Sequence, residues 1–105
     1  MADENKFLTI KDGVVKGCDY RATKIAIPEG VTEIGVGAFQ RCLSLADITI
    51  PDSVTKIGSA AFAGCQSLAD IRFGGTESQW KAVEKGNAPG PASTVHCTDK
   101  DVWWM

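Results

Sequence analysis

The sequence has no excess of basic residues. Its 105 residues include 11 Lys and Arg against 13 Asp and Glu, which gives a formal net charge of −2. The basic residues are scattered singly, so no basic stripe is available to neutralise a run of phosphates. We therefore expect no nucleic acid partner and no attraction to anionic membranes.

Long apolar runs are also missing. No segment approaches the roughly 18 apolar residues that indicate a membrane span, so we expect no insertion into a membrane. The opening MADENKFLTIKDG lacks the basic start and the apolar run of a secretory signal. As written, the sequence predicts a chain that is not exported, and removal of a native signal is the alternative. The location is left open.

Cysteine and histidine form no familiar chemical motif. The four cysteines, at positions 18, 42, 65 and 97, match no zinc or redox spacing, and we expect reduced thiols. His96 beside Cys97 hints at a metal or a nucleophile, but neighbouring strand residues point to opposite faces. Paired carboxylates, a phosphate-binding glycine loop and a Ser-His-Asp set are all missing. The sequence therefore predicts no enzyme, no cofactor and no metal site.

What the sequence does contain is a repeat of 23 residues. Pro28 to Ile50 aligns with Pro51 to Phe73, and 13 of the 23 positions are identical. Repetition at this period is typical of a solenoid, in which each unit buries its apolar side only against its neighbours. The length leaves room for one domain.

Three segments one repeat apart, 22–27, 45–50 and 68–73, alternate apolar and polar residues and predict short strands. Stacking of the units would place them side by side in a parallel sheet. Ile48 would then lie over Ile71 in the interior. The outward-facing residues would form a grid, with Lys24, Asp47 and Asp70 in one column and Ala26, Thr49 and Arg72 in the next.

The segment between the strands predicts a helical turn, because Ala61, Phe62 and Cys65 fit one helical face. Gly64 suits a left-handed stop after that turn. Arg41 takes the place of Gly64 in the preceding unit. Glycine is therefore expected to be favourable at this position but not required.

The sequence on either side of the repeats predicts two caps. Asp12-Gly13 lies between apolar runs and predicts a hairpin. Thr76 and Gln79 form a capping-box pattern that opens a helix of two to three turns, and Trp80 is expected to plug the C-terminal end. We expect a single domain over 1–105, with an N-terminal hairpin cap at 1–21, repeats at 22–73 and a C-terminal helix and strand cap at 74–105.

The pattern IPxxVTxIGxxAFxxCxSLxxI resembles the BspA-like, or treponemal-type, leucine-rich repeat. Both full copies match, and the GTxxQW stretch from Gly75 to Trp80 resembles the end of such arrays. The resemblance implies a short right-handed leucine-rich-repeat solenoid of mixed α/β character with short parallel strands. It also implies proteins displayed on bacterial or protist surfaces, where they mediate adhesion or other protein contacts.

We interpret the chain as a non-enzymatic module for protein–protein interaction or adhesion, with a protein partner whose identity the sequence does not give. The alternative is a self-assembling or end-capping element, a weak homo-oligomer. On the simpler interpretation, the grid is a solvated face whose charges pair across strands, and the aromatic tail packs on the cap. The candidate contact residues are Lys24, Asp47, Thr49, Asp70, Arg72, Trp103 and Trp104.

Overall fold

The backbone winds into a coil of short strands joined by tight turns. The computed structural model describes residues 8–86 and 94–103, and of Trp103 it describes the backbone only. Its elements are β1 (Leu8–Lys11), β2 (Val14–Cys18), β3 (Lys24–Ala26), β4 (Glu33–Ile34), β5 (Asp47–Ile50), β6 (Lys56–Ile57), β7 (Asp70–Phe73), α1 (Glu77–Ala82), β8 (Glu84–Lys85), β9 (Thr94–His96) and β10 (Asp101–Trp103).

The strands form two sheets on opposite sides of a shared apolar core. Sheet A has the order β1-β2-β4-β6-β8, and sheet B has the order β10-β9-β7-β5-β3. Each coil contributes one strand to each sheet, so consecutive coils pair in parallel. Among the described strands, only β1 and β10, at opposite ends, pair antiparallel with their neighbours, β2 and β9. This is the architecture of a solenoid.

The predicted register of the repeats is confirmed in sheet B. Ile25 pairs with Ile48, Ile48 with Ile71, and Ile50 with Phe73. All five of these residues lie in the core, since the four isoleucines are 0% exposed and Phe73 is 3% exposed. The alternation of apolar and polar residues fixes this arrangement, because a slip by one residue would turn the apolar set toward solvent.

In sheet A, the hairpin strands β1 and β2 were predicted from the sequence, but β4, β6 and β8 were not. Its strands β4, β6 and β8 are two residues long. So short a strand contains no full alternation to detect. Its presence explains the buried Ile34 and Ile57, which pair in register across β4 and β6.

The predicted helical turn at Ala61 to Cys65 is wrong. The structure has successive tight turns there, with hydrogen bonds from Ala63 N–H to the Ala60 oxygen and from Cys65 N–H to the Phe62 oxygen. Ala60 has a φ of 59°, in the left-handed region, and a right-handed helix cannot continue through it.

The left-handed stop at Gly64 is confirmed, with a φ of 78°. Arg41 holds the equivalent position one coil earlier with a φ of 64°. Glycine is thus not required there, as predicted, but an L-residue in this region carries a conformational cost.

The N-terminal hairpin is confirmed. β1 and β2 pair antiparallel, and Asp12 and Gly13 turn the chain with φ values of 54° and 78°. Left-handed values at both central positions are those of the tight hairpin turn for which Asp-Gly is favoured.

The C-terminal cap contains the predicted helix, but that helix is shorter than expected. Thr76 is its N-cap, and a capping box with Gln79 is present. It ends after six residues, because Val83 turns extended (ψ 125°) and the chain joins sheet A as β8. Trp80 is 1% exposed and packs edge-on against Phe73, with ring centroids 5.2 Å apart. Its role as the plug of this end of the core is confirmed.

Between the caps, equivalent residues of successive units stack on one another. The rings of Phe39 and Phe62 are parallel within 1° and 5.2 Å apart. All four cysteines are free thiols, as predicted. The Cys65 thiol donates to the Phe39 carbonyl oxygen at 2.9 Å, and burial raises its pKa to about 11. Thiols held protonated in this way are part of the core and are weak nucleophiles.

Candidate interaction surface

The outward-facing side chains of sheet B form one polar surface, which we call the polar face. Its first column contains Lys24, Asp47 and Asp70, and its second contains Ala26, Thr49 and Arg72, as predicted. Strand β9 adds Thr94 to the first column and His96 to the second. The described residues thus extend the predicted grid by a fourth parallel strand, and β10 follows as a fifth.

Two of the predicted residues are locked together on this face. The Arg72 guanidinium donates from Nε to Asp47 Oδ2 at 3.2 Å, and its Nη2 lies 3.1 Å from the same oxygen. The pair is diagonal, because Arg72 lies beside Thr49 and not beside Asp47 in the register. This contact raises the pKa of Arg72. It is partly exposed and adds little stability, but it fixes the direction of both side chains.

His96 is held between two carboxylates. Its Nε2 lies 2.8 Å from Asp70 Oδ1 on β7, and its Nδ1 lies 2.9 Å from Asp101 Oδ1 on β10. A carboxylate can only accept, so both ring nitrogens donate when the imidazole is protonated. The hydrogen bond to Asp70, followed by that to Asp101, raises the pKa of His96 above its ordinary value of 6.5. The protonated ring therefore ties three strands of sheet B together.

The remaining candidate residues are placed unequally. Lys24 is exposed on β3, and Thr49 is half-buried on β5, where it pairs with Ala26. The backbone of Trp103 pairs with Thr94 at the outer strand. Trp104 lies outside the described residues. The structure therefore brings Lys24, Thr49 and the two ion-paired groups onto one face, and it leaves the predicted contact role of the tail as a prediction.

Sequence reasoning missed two exposed apolar side chains that precede strands of this face, Tyr20 and Leu43, which we call the apolar edge. Tyr20 is 71% exposed and Leu43 is 53% exposed. The two residues lie one 23-residue repeat apart, each four positions before the first residue of a sheet B strand, β3 or β5. Tyrosine is enriched among the residues that dominate binding energy at protein interfaces. The exposure of this position could have been predicted from the alignment of the units, because the polar residue Gln66 occupies it in the next unit.

His96, Asp101 and Thr94 were also missed as members of the face. The segment from 94 to 97 predicts a strand, but its register against β7 depends on the path of the chain between β8 and β9. Val95 is 0% exposed, which turns His96 outward. Cys97 packs against the core, so it does not share a face with His96.

No group of three or more His, Cys, Asp or Glu side chains in residues 8–86 and 94–103 is arranged to hold a metal ion. Within the same residues, no helix has the length and apolar character needed to span a bilayer.

The repeat pattern has known counterparts. A family model described as BspA type leucine-rich repeat region (6 copies) matches residues 4–83. The chain belongs to the BspA-type leucine-rich repeat family. A search of curated proteins found no match.

Two solved structures of leucine-rich repeat proteins are similar to this family member. A leucine-rich cell surface protein from Faecalibacterium prausnitzii is 44% identical over 63% of the chain, with a TM-score of 0.61. The leucine-rich repeat protein of T. pallidum is 28% identical over 64% of the chain, with a TM-score of 0.54. The BspA-type chain covers 17% and 41% of these two proteins, respectively.

Proposed function

We propose that the chain is a non-enzymatic protein-interaction module that binds a protein partner through the polar face and the adjacent apolar edge. The observation that carries the proposal is the pre-ordered charge pattern of sheet B. Asp47, Arg72, Asp70 and His96 are held in place by one another before any partner arrives. Side chains that are already ordered lose less conformational entropy on binding, so more of the contact energy appears as affinity.

The size of the face favours a modest affinity. Five strands at a spacing of about 4.8 Å give a width of roughly 19 Å, and three residues give a length of about 10 Å. This area falls well below the roughly 800 Å² per partner of a standard interface. Tyr20 and Leu43 extend it with apolar surface at the rim. A transient contact is therefore expected from a single copy, strengthened where copies are clustered.

The similar protein from Faecalibacterium prausnitzii is a cell surface protein. Surface display would suit an adhesion role for the present chain. Four free thiols, in contrast, are typical of a reducing compartment. Cell fractionation with a labelled full-length gene product separates these two locations.

The test is a comparison of captured partners between matched charge-swap variants. Asp47→Arg combined with Arg72→Asp preserves the ion pair but reverses the charge pattern of the polar face, and we expect it to lose the partner. The control, Glu33→Lys with Lys56→Glu, makes the same kind of exchange between register neighbours on sheet A. We expect the control to retain binding. Partners retained equally by both variants would show that the polar face is not the binding surface.

A further inference from the structure

The two ends of the solenoid have complementary shapes. Sheet A begins with β1, one strand ahead of the first strand of sheet B, and it ends at β8. Sheet B begins with β3 and ends with β10, one strand beyond the last strand of sheet A. The N-terminal end therefore protrudes in sheet A and is recessed in sheet B. The C-terminal end protrudes in sheet B and is recessed in sheet A.

From this stagger, we propose that copies of the chain associate head to tail, with β1 of one copy docking beside β8 of the next and β3 of the first beside β10 of the second. A shift of five strands along the coil fits both protrusions into both recesses at once. Both new pairings are antiparallel, because β1 and β10 each run against the strands of their own sheet. The inference does not depend on the polar face having a separate protein partner.

The recessed edges carry backbone groups that are free to pair. In β3, the Thr23 oxygen accepts from Ala46 N–H, and Ile27 N–H donates to the Thr49 oxygen, both at 2.9 Å toward β5. Alternate residues point their amides the other way, so Lys24 directs its backbone groups outward. No described strand pairs with that edge.

The edge of β8 has the same property. Glu84 N–H donates to the oxygen of Thr55, the residue before β6, and Gly86 N–H donates to the Ile57 oxygen in β6, each at 2.9 Å. This leaves the backbone groups of Lys85 facing outward. Among residues 8–86 and 94–103, β6 is the only strand paired with β8. Open strand edges of this kind are templates for pairing with another chain.

Charge complementarity selects a second copy as the occupant. On the outer side of sheet A, one row runs across all five strands and contains Lys11, Val14, Glu33, Lys56 and Glu84. The first and last residues of the row are exposed and opposite in charge. Continuing the row into the next copy places Lys11 beside Glu84.

The proposed contact in sheet B, between β3 of one copy and β10 of the next, also brings opposite charges together. Lys24 is exposed on β3 and Asp101 is exposed on β10. They lie in adjacent columns, so they face each other diagonally across the joint, within reach of long side chains. The N-terminal end of the molecule thus presents the lysines Lys11 and Lys24, and the C-terminal end presents the carboxylates of Glu84 and Asp101.

The association is expected to be weak. The molecule measures 30 × 27 × 26 Å, so an end face with a rounded outline stays below the roughly 800 Å² per partner of a stable interface. The contact is also heterologous, and such contacts form open filaments unless the rotation closes a ring. We expect reversible, concentration-dependent growth that weakens as salt rises.

The test uses sedimentation equilibrium of the full chain at low ionic strength, from about 10 µM to about 1 mM. Lys11→Glu alone and Glu84→Lys alone should each weaken association by roughly tenfold. Each change replaces an attraction by a repulsion, and each of these two effects changes the association constant by about two- to fivefold. Mixing the two variants, or combining both changes in one chain, should restore wild-type association. An isologous dimer through either end would not show this reciprocal rescue.

Two further measurements complete the test. Lys16→Glu and Glu29→Lys change exposed charges outside the row and should leave association unchanged. Circular dichroism of every variant establishes that it is folded. Zero-length cross-linking of isotopically mixed wild-type chains should join Lys11 of one copy to Glu84 of another. A chain that stays monomeric to 1 mM, or a mixture no better than its components, would overturn the proposal.

Discussion

Arg41 lies in a backbone conformation that suits glycine, and replacing it should stabilise the protein. Its φ of 64° matches the 78° of Gly64, the equivalent residue in the next coil. An L-residue in the left-handed region costs about 1–2 kcal/mol. The added freedom of glycine in the unfolded chain returns about 0.4–1 kcal/mol of that. Arg41→Gly should therefore raise the free energy of unfolding by about 0.5–1 kcal/mol.

The structure supplies a second site of the same kind and a reverse test. Ala60 has a φ of 59°, and its equivalent one coil earlier is Gly37 with a φ of 65°, so Ala60→Gly should be stabilising too. Gly64→Arg should destabilise by a similar amount through φ alone. A Cβ at Gly64 would meet its nearest neighbours, Arg41 backbone atoms, at 3.6 Å, which is ordinary contact.

The assay is thermal and urea unfolding followed by circular dichroism. For a domain of this size, the predicted stabilisation corresponds to a rise in Tm of roughly 3–6 °C. Arg41→Ala is the matched control, since it removes the same side chain but keeps a Cβ in the left-handed region. If Arg41→Ala stabilised as much as Arg41→Gly, loss of the side chain and not relief of backbone strain would be responsible, and the reasoning would be refuted.

Two other expectations follow from the cap and the polar face. Trp80→Ala should cost about 3–5 kcal/mol in urea unfolding, because it opens the C-terminal end of the core beside Phe73, and Trp80→Phe should cost clearly less. The raised pKa of His96 means that its contribution to stability is complete below about pH 6.5 and declines as the pH rises through the higher folded-state pKa. Wild type should therefore lose more stability than His96→Gln between pH 6 and pH 9, and equal losses would show that the ring does not tie Asp70 to Asp101.

Much of the architecture could be predicted because the repeat states the same pattern twice. Ile48 and Ile71 are one unit apart in alternating segments, and only stacking in register buries both. The hairpin at Asp12-Gly13 and the capping box at Thr76 are local patterns, whose backbone conformations depend on residues close in sequence. These elements were confirmed.

The short strands β4, β6 and β8 of sheet A and the left-handed conformation of Ala60 could not be predicted in the same way. Ile57 sits in a two-residue strand that exists only because β4 and β8 lie on either side of it. Ala60 adopts a positive φ against its own preference. In both cases the stacking of neighbouring coils decides the local conformation, and tertiary packing outweighs propensity.

The sequence by itself determined the repeat, its register and the two columns that contain Lys24 and Arg72, because a 23-residue period with alternating apolar positions has one way to bury its core. Only the tertiary structure decided that Arg72 pairs diagonally with Asp47, that His96 joins Asp70 to Asp101, and that the two sheets are offset by one strand. The contacts of Arg72 with Asp47 and of His96 with Asp70 join residues more than 20 positions apart, and the offset involves strands from opposite ends of the coil. Their distances follow from how the coils stack in space, which no local pattern in the chain encodes.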